Sequence, residues 1–174
     1  MVRYLIVLIF MFSYLPMANA NERIATESSS DSGRHLKRIY EGDMEVGGRA
    51  NFSYDSLNGL TTSTDLAYRY FFIDRLSLGV IANYTGNKAF DTYGVGLSGA
   101  YYFWEYQRWA TYFQQDALYQ RTRSLFGTSE YMSFNSTLGA KYFITPEVAL
   151  DFGITKNIGD TGGVNSNVGF SISF

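Results

Sequence analysis

Residues 68–80 read "YRYFFIDRLSLGV". Tyr68, Tyr70 and Phe72 fall at every second position; after Ile73-Asp74-Arg75 the period resumes with Leu76, Leu78 and Val80. A period of two marks an extended strand whose successive side chains point to opposite faces. The break between the two runs has room only for a tight turn, so the strands run antiparallel. One face of this hairpin is large and apolar. The other carries Arg69, Ser77 and Gly79. The fold depends on how far this pattern extends, and the function on which face points inward.

The pattern fills the chain from about Met44 onward. The first strand carries Met44, Val46, Ala50, Phe52 and Tyr54, and the second adds Leu66 to the row quoted above. The third runs on through Ala82 and Tyr84, and the fourth carries Tyr93, Val95, Leu97, Tyr101 and Phe103. Trp109, Thr111, Phe113, Ala117 and Tyr119 mark the fifth, and Met132, Phe134, Leu138, Ala140 and Tyr142 the sixth. Val148, Leu150, Phe152 and Ile154 mark the seventh, and Val168, Phe170, Ile172 and Phe174 the eighth. No segment has a 3.6-residue period, so no helix is expected here. Tight connectors (73–75, 104–108, 144–147) alternate with looser polar ones (56–60, 85–91, 121–130, 157–165). That alternation describes an up-and-down antiparallel meander. Pro146 falls in a turn and no strand contains proline, consistent with a sheet that has no free edge. The expected fold is all-β: a closed eight-stranded antiparallel barrel over residues 43–174.

Size decides which face is inside. The lumen of an eight-stranded barrel is just wide enough to be filled by side chains. The apolar set, rich in Tyr and Phe, is too bulky for that space. The opposite face is small, with Gly47, Ser53, Gly94, Gly96, Ser98, Gly139 and Ser171. It also carries four acids and three bases: Glu45, Asp65, Asp116 and Asp151 with Arg49, Arg69 and Lys141. Charges enclosed together must pair, so these seven are expected to form a hydrogen-bonded lumen network. The apolar face then points outward into lipid. Tyr54, Tyr84, Tyr93, Tyr119 and Tyr131 lie near the long-loop ends, and Tyr70, Phe72, Phe103, Trp109, Tyr142 and Phe174 near the short-turn ends. Two such rings are the aromatic girdles of a membrane barrel. Gln115 breaks the pattern, falling on the outward face of the fifth strand; a bulge near Gln114 or Gln115 would relieve the conflict.

Residues 1–20, "MVRYLIVLIFMFSYLPMANA", have a basic start at Arg3, an apolar run and a terminal Ala18-Asn19-Ala20. This is the form of a secretory signal peptide cleaved after Ala20. Residues 21–42 are polar and aperiodic and are expected to be a flexible periplasmic tail. The formal net charge of -2 offers no field for nucleic acid. With no Cys and a single His, His35, there is no thiolate or multi-His metal site, and no cofactor is expected.

With a signal peptide, eight strands and the closing "VGFSISF", the chain resembles the small outer-membrane β-barrel family, the OmpX- and OmpA-like proteins of Gram-negative bacteria. "YRYFFIDRLSLGV" and "GAKYFITPEVALDFG" are similar to that family's strand, tight turn and strand. The resemblance implies an outer-membrane location, with lipid and lipopolysaccharide as surroundings. It also implies that Val168, Phe170, Ile172 and Phe174 form the signal read by the outer-membrane assembly machinery. A structural, membrane-integrity or surface-interaction role follows, and nothing requires more than a monomer. Lipid A-modifying enzymes of this architecture rely on a His in the barrel wall. Here His35 lies in the tail and the barrel has none, so no catalytic residue is assigned. A soluble lipocalin-like barrel with the apolar face inward is the alternative. The terminal Phe174 and the Gly/Ser-rich polar face count against it.

Overall fold

The structure is a computed structural model describing residue 39 and residues 41–55, 59–158 and 164–174. Residues 1–38, on which the expected signal peptide and most of the expected tail fall, residue 40 and the two loop tips at 56–58 and 159–163 lie outside the described residues. Eight strands follow in chain order: β1 (Met44–Asp55), β2 (Gly59–Ile73), β3 (Leu76–Gly86), β4 (Phe90–Tyr106), β5 (Trp109–Ser124), β6 (Gly127–Phe143), β7 (Val148–Ile158) and β8 (Val164–Ser173). Each pairs antiparallel with the next, and β8 pairs with β1, closing the barrel. The expected fold class holds, and the described residues contain no helix. Closure is finished by Phe174, whose backbone N–H and carbonyl each bond to Met44 at 2.9 Å.

Burial alternates along the strands, most regularly on β5, where Ala110, Tyr112, Gln114, Asp116 and Leu118 are buried. Leu66, Val80, Val95, Leu97, Leu138 and Phe170 are large, apolar and more than half exposed. Apolar residues out and polar residues in is the reverse of the usual arrangement in water.

Three features depart from the sequence reading. First, β5 runs without a break past Gln114 and Gln115, and the irregularities lie at Phe72, in the β2–β3 ladder, and at Phe103, in the β4–β5 ladder. These extra residues sit at the short-turn end, where a bulge bends a strand into its turn. Second, residues 121–130 are not a loose loop. The β5–β6 ladder continues to Ser124↔Gly127, leaving only Leu125-Phe126 at the tip. Third, the polar tail ends earlier than residue 42. Ile39 is buried, and the Gly42 N–H bonds to the Phe71 carbonyl at 2.7 Å.

Candidate functional site

The register of the barrel sets charges opposite one another. Glu45↔Arg69 and Arg49↔Asp65 are direct pairs between β1 and β2, and Lys141↔Asp151 is a direct pair between β6 and β7. Directly opposed residues on one face are close enough for their side chains to meet. In a narrow lumen, side chains from distant strands also meet across the interior.

Glu45 is the hub of the lower group. Its Oε1 accepts from Arg69 Nη1 at 2.8 Å, and its Oε2 accepts from Lys141 Nζ and, at 3.2 Å, from the Tyr102 hydroxyl. Lys141 is fully enclosed; it also donates to Ser171 Oγ at 2.9 Å and lies 3.9 Å from Asp151 Oδ2. Asp151 accepts from the Tyr112 hydroxyl. The Lys141 ammonium stands 5.5 Å from the Tyr102 ring centroid and 5.9 Å from that of Tyr112, within cation–π range.

The upper group joins Arg49, Asp65 and Asp116. Arg49 Nη2 lies 3.6 Å from Asp65 Oδ2 and 3.8 Å from Asp116 Oδ2. Asn83 donates to Asp65 at 2.6 Å, and Gln120 donates to Asn83 at 3.3 Å. Gln114 links the two groups: its Oε1 accepts from Arg69 Nη2 at 2.7 Å, and its Nε2 donates to both oxygens of Asp116 at 2.8 Å. Arg69 also donates through Nε to Ser98 Oγ at 3.2 Å. The seven charges named from the sequence thus lie in one run of contacts. Gln114, Tyr102 and Tyr112 belong to it as well. All three share the parity of assigned inward residues (Gln114 with Asp116, Tyr102 with Ser98), so the signal for them was present.

Below the charges lies an aromatic floor. Phe71, Tyr102, Tyr112 and Phe143 are buried in one cluster, with ring centroids 5.6 Å apart for Phe71–Tyr102 and 5.4 Å for Tyr102–Tyr112. The inner face is therefore not uniformly small. Gly139 makes room for the floor: a Cβ there would lie 2.3 Å from the Tyr112 ring.

On the outer wall, Tyr84 and Tyr93 pair at the long-loop end with centroids 5.1 Å apart, and Trp109 and Tyr142 pair at the short-turn end at 5.0 Å. Tyr70, Phe72, Phe103, Tyr119 and Phe174 are exposed. Trp104 and Tyr106, read from the sequence as turn residues, stack at 5.9 Å and are exposed at the short-turn end. Tyr131 is a correction. It pairs with Gln120 and shares the inward parity of Ser133, so it stands at the lumen rim and not in the outer girdle. The side chain of Tyr54 lies outside the described set. Gln115 does face outward, and its Nε2 donates to Ser136 Oγ at 2.6 Å. The four residues of the proposed assembly signal alternate outward, and Val168, Phe170, Ile172 and Phe174 are all exposed.

No family model matches the chain, and no curated protein matches it in sequence. Solved structures match it in shape: the fold is that of the small eight-stranded outer-membrane barrels. The N-terminal β-barrel domain of Pseudomonas aeruginosa OprF aligns with a TM-score of 0.61 at 14% identity, over 77% of this chain and 98% of that one. Neisserial surface protein A (NspA) aligns at 0.56 and 23%, over 76% and 96%. The Yersinia pestis outer-membrane protein Ail, determined in a phospholipid bilayer nanodisc, aligns at 0.52 and 17%, over 77% and 100%. At these identities the likeness is one of fold.

Proposed function

We propose that this chain is an integral outer-membrane barrel of a Gram-negative bacterium. Its role is structural or surface-interactive, and its lumen is closed by paired charges. The observation that carries this reading is the inverted burial: exposed Leu, Val and Phe encircle a wall whose inner face holds Glu45, Arg69, Asp116 and Lys141 almost fully buried. In water such a wall would be an aggregation surface; in lipid it is the stable arrangement. The outer-membrane protein Ail, held in a phospholipid bilayer, and the outer-membrane protein OprG from Pseudomonas aeruginosa share the fold and support the same placement.

The network suits a plug and not a pore, since Lys141, Gln114 and Arg69 fill the section that a channel would need. No catalytic role is assigned to any residue. The proposed periplasmic end is that of the short turns, and the long-loop end faces outside. There the ladder β4–β5–β6 rises furthest and ends in Leu125 and Phe126, which are almost wholly exposed. Arg121 and Arg123 continue the outward row of Tyr119 just above the girdle. That is the height at which lipopolysaccharide phosphates would be met. Lys88 in the neighbouring turn adds a third cation.

Cell fractionation with an unboiled gel tests the reading. The protein is expected in the outer-membrane fraction, with a mobility that changes only on boiling. Recovery as a soluble periplasmic protein with no heat-dependent shift would overturn the proposal.

A further inference from the structure

Ile39 belongs by sequence to a polar stretch, "GRHLKRIYEG", yet the residue is only 9% exposed. It packs in the cluster of Phe71, Tyr102, Ala110, Tyr112, Phe143 and Ala149 at the short-turn mouth of the barrel. The residues that follow are fastened to β2 and to the turn after it. The Gly42 N–H bonds to the Phe71 carbonyl at 2.7 Å, the Phe71 N–H to the Asp43 carbonyl at 2.9 Å, and the Glu41 N–H to Asp74 Oδ1 at 2.9 Å. These bonds extend the β1–β2 ladder past the first strand residue and bring Ile39 under the floor.

We propose that Ile39 is the lid of the lumen at this mouth, held shut by the strap Glu41–Asp43. The cluster it joins is coupled to the charges. The Tyr102 and Tyr112 rings lie in the cluster, and their hydroxyls bond to Glu45 and Asp151. Lifting the lid therefore admits water to the floor and, through those two rings, to the carboxylates that hold Lys141. Access to the interior at this mouth is controlled by a residue of the chain itself. The inference concerns the barrel interior and holds whatever medium covers the outer wall.

The chain contains no Cys, so a single introduced thiol is unambiguous. Ala110→Cys places one in the fully buried floor. Its reaction with a small, charged methanethiosulfonate is measured in the folded full chain in detergent, alone and combined with Ile39→Ser. The A110C thiol is expected to react roughly tenfold or more faster when Ile39 is replaced, because its protection comes from a local closure. In the same assay I39C should be protected relative to E41C, at an exposed position. Far-UV circular dichroism shows that each variant keeps its strands; if A110C fails this check, Ala149→Cys, in the same cluster, takes its place. An A110C rate unchanged by Ile39→Ser, or an I39C thiol as reactive as that of E41C, would overturn the proposal.

Discussion

Lys141 is a cation with no exposure at all, and it is held between Glu45, Asp151, Ser171 and two tyrosine rings. Removing it leaves Glu45 with Arg69 but takes from Asp151 the cation at 3.9 Å, so that carboxylate stays enclosed with the Tyr112 hydroxyl as its remaining side-chain partner among the described residues. Lys141→Met should cost about 3–5 kcal/mol of folding free energy, the scale for breaking a buried ion pair from one side. Adding Asp151→Asn should recover part of that loss, because it removes the carboxylate left without a cation. Urea titration of the folded barrel in vesicles, read by the heat-dependent gel shift, measures both. Gly139 makes a second case, this time of space and not of charge. A Cβ at 2.3 Å from the Tyr112 ring would displace it and weaken its bond to Asp151. Gly139→Ala should cost about 1–3 kcal/mol in the same titration, as overpacking does. At this scale the sequence was partly legible. Parity assigns Gln114 and Asp116 to one face and Tyr102 to the face of Ser98. Parity does not give height along the strand. Tyr131 at the rim and Tyr112 at the floor look alike in the sequence, and only the register of the closed barrel separates them.

At the scale of the strand, the outer wall is an alternation that tolerates little. Val80 lies midway along β3, outward and more than half exposed. Val80→Arg should destabilise the barrel by about 2–4 kcal/mol, the cost of Arg near a bilayer midplane. The check is a fall in the urea midpoint in vesicles, with a smaller fall for the same change at Leu60, near the start of β2. The C-terminal strand makes a different prediction. Closure at Phe174 uses its backbone bonds to Met44, while the ring stays exposed on the outer wall. Phe174→Ala should therefore leave the refolded barrel closed in vitro. It should nonetheless lower the yield of heat-shifting protein in cells severalfold, because the ring is proposed to serve recognition during assembly. Equal loss in both settings would assign the ring to stability alone. Strand existence was readable from the period of two, whereas strand length was not. Residues 121–130 carry polar side chains that suit a wet loop and a protruding hairpin equally well. The bulges at Phe72 and Phe103 insert single residues that no periodic signal marks in advance.

One inversion organises the molecule as a whole: a polar, charge-paired interior inside an apolar shell. Eight alternating strands made that arrangement legible, because volume alone excluded the aromatic face from so small a lumen. The lid was not legible, since Ile39 stands with Leu36 and Tyr40 in an aperiodic basic stretch and gains its meaning only from the floor above it. The inversion is tested most directly at Leu97, which is 68% exposed on the outer wall of β4. Leu97→Trp is made with Trp104 and Trp109 replaced by Phe, so that it carries the only indole, and the protein is folded into vesicles. Strong quenching of its fluorescence by lipids brominated in mid-chain is expected, with little quenching by aqueous iodide. Quenching by iodide without quenching by the brominated lipid would place Leu97 in water and contradict the central claim.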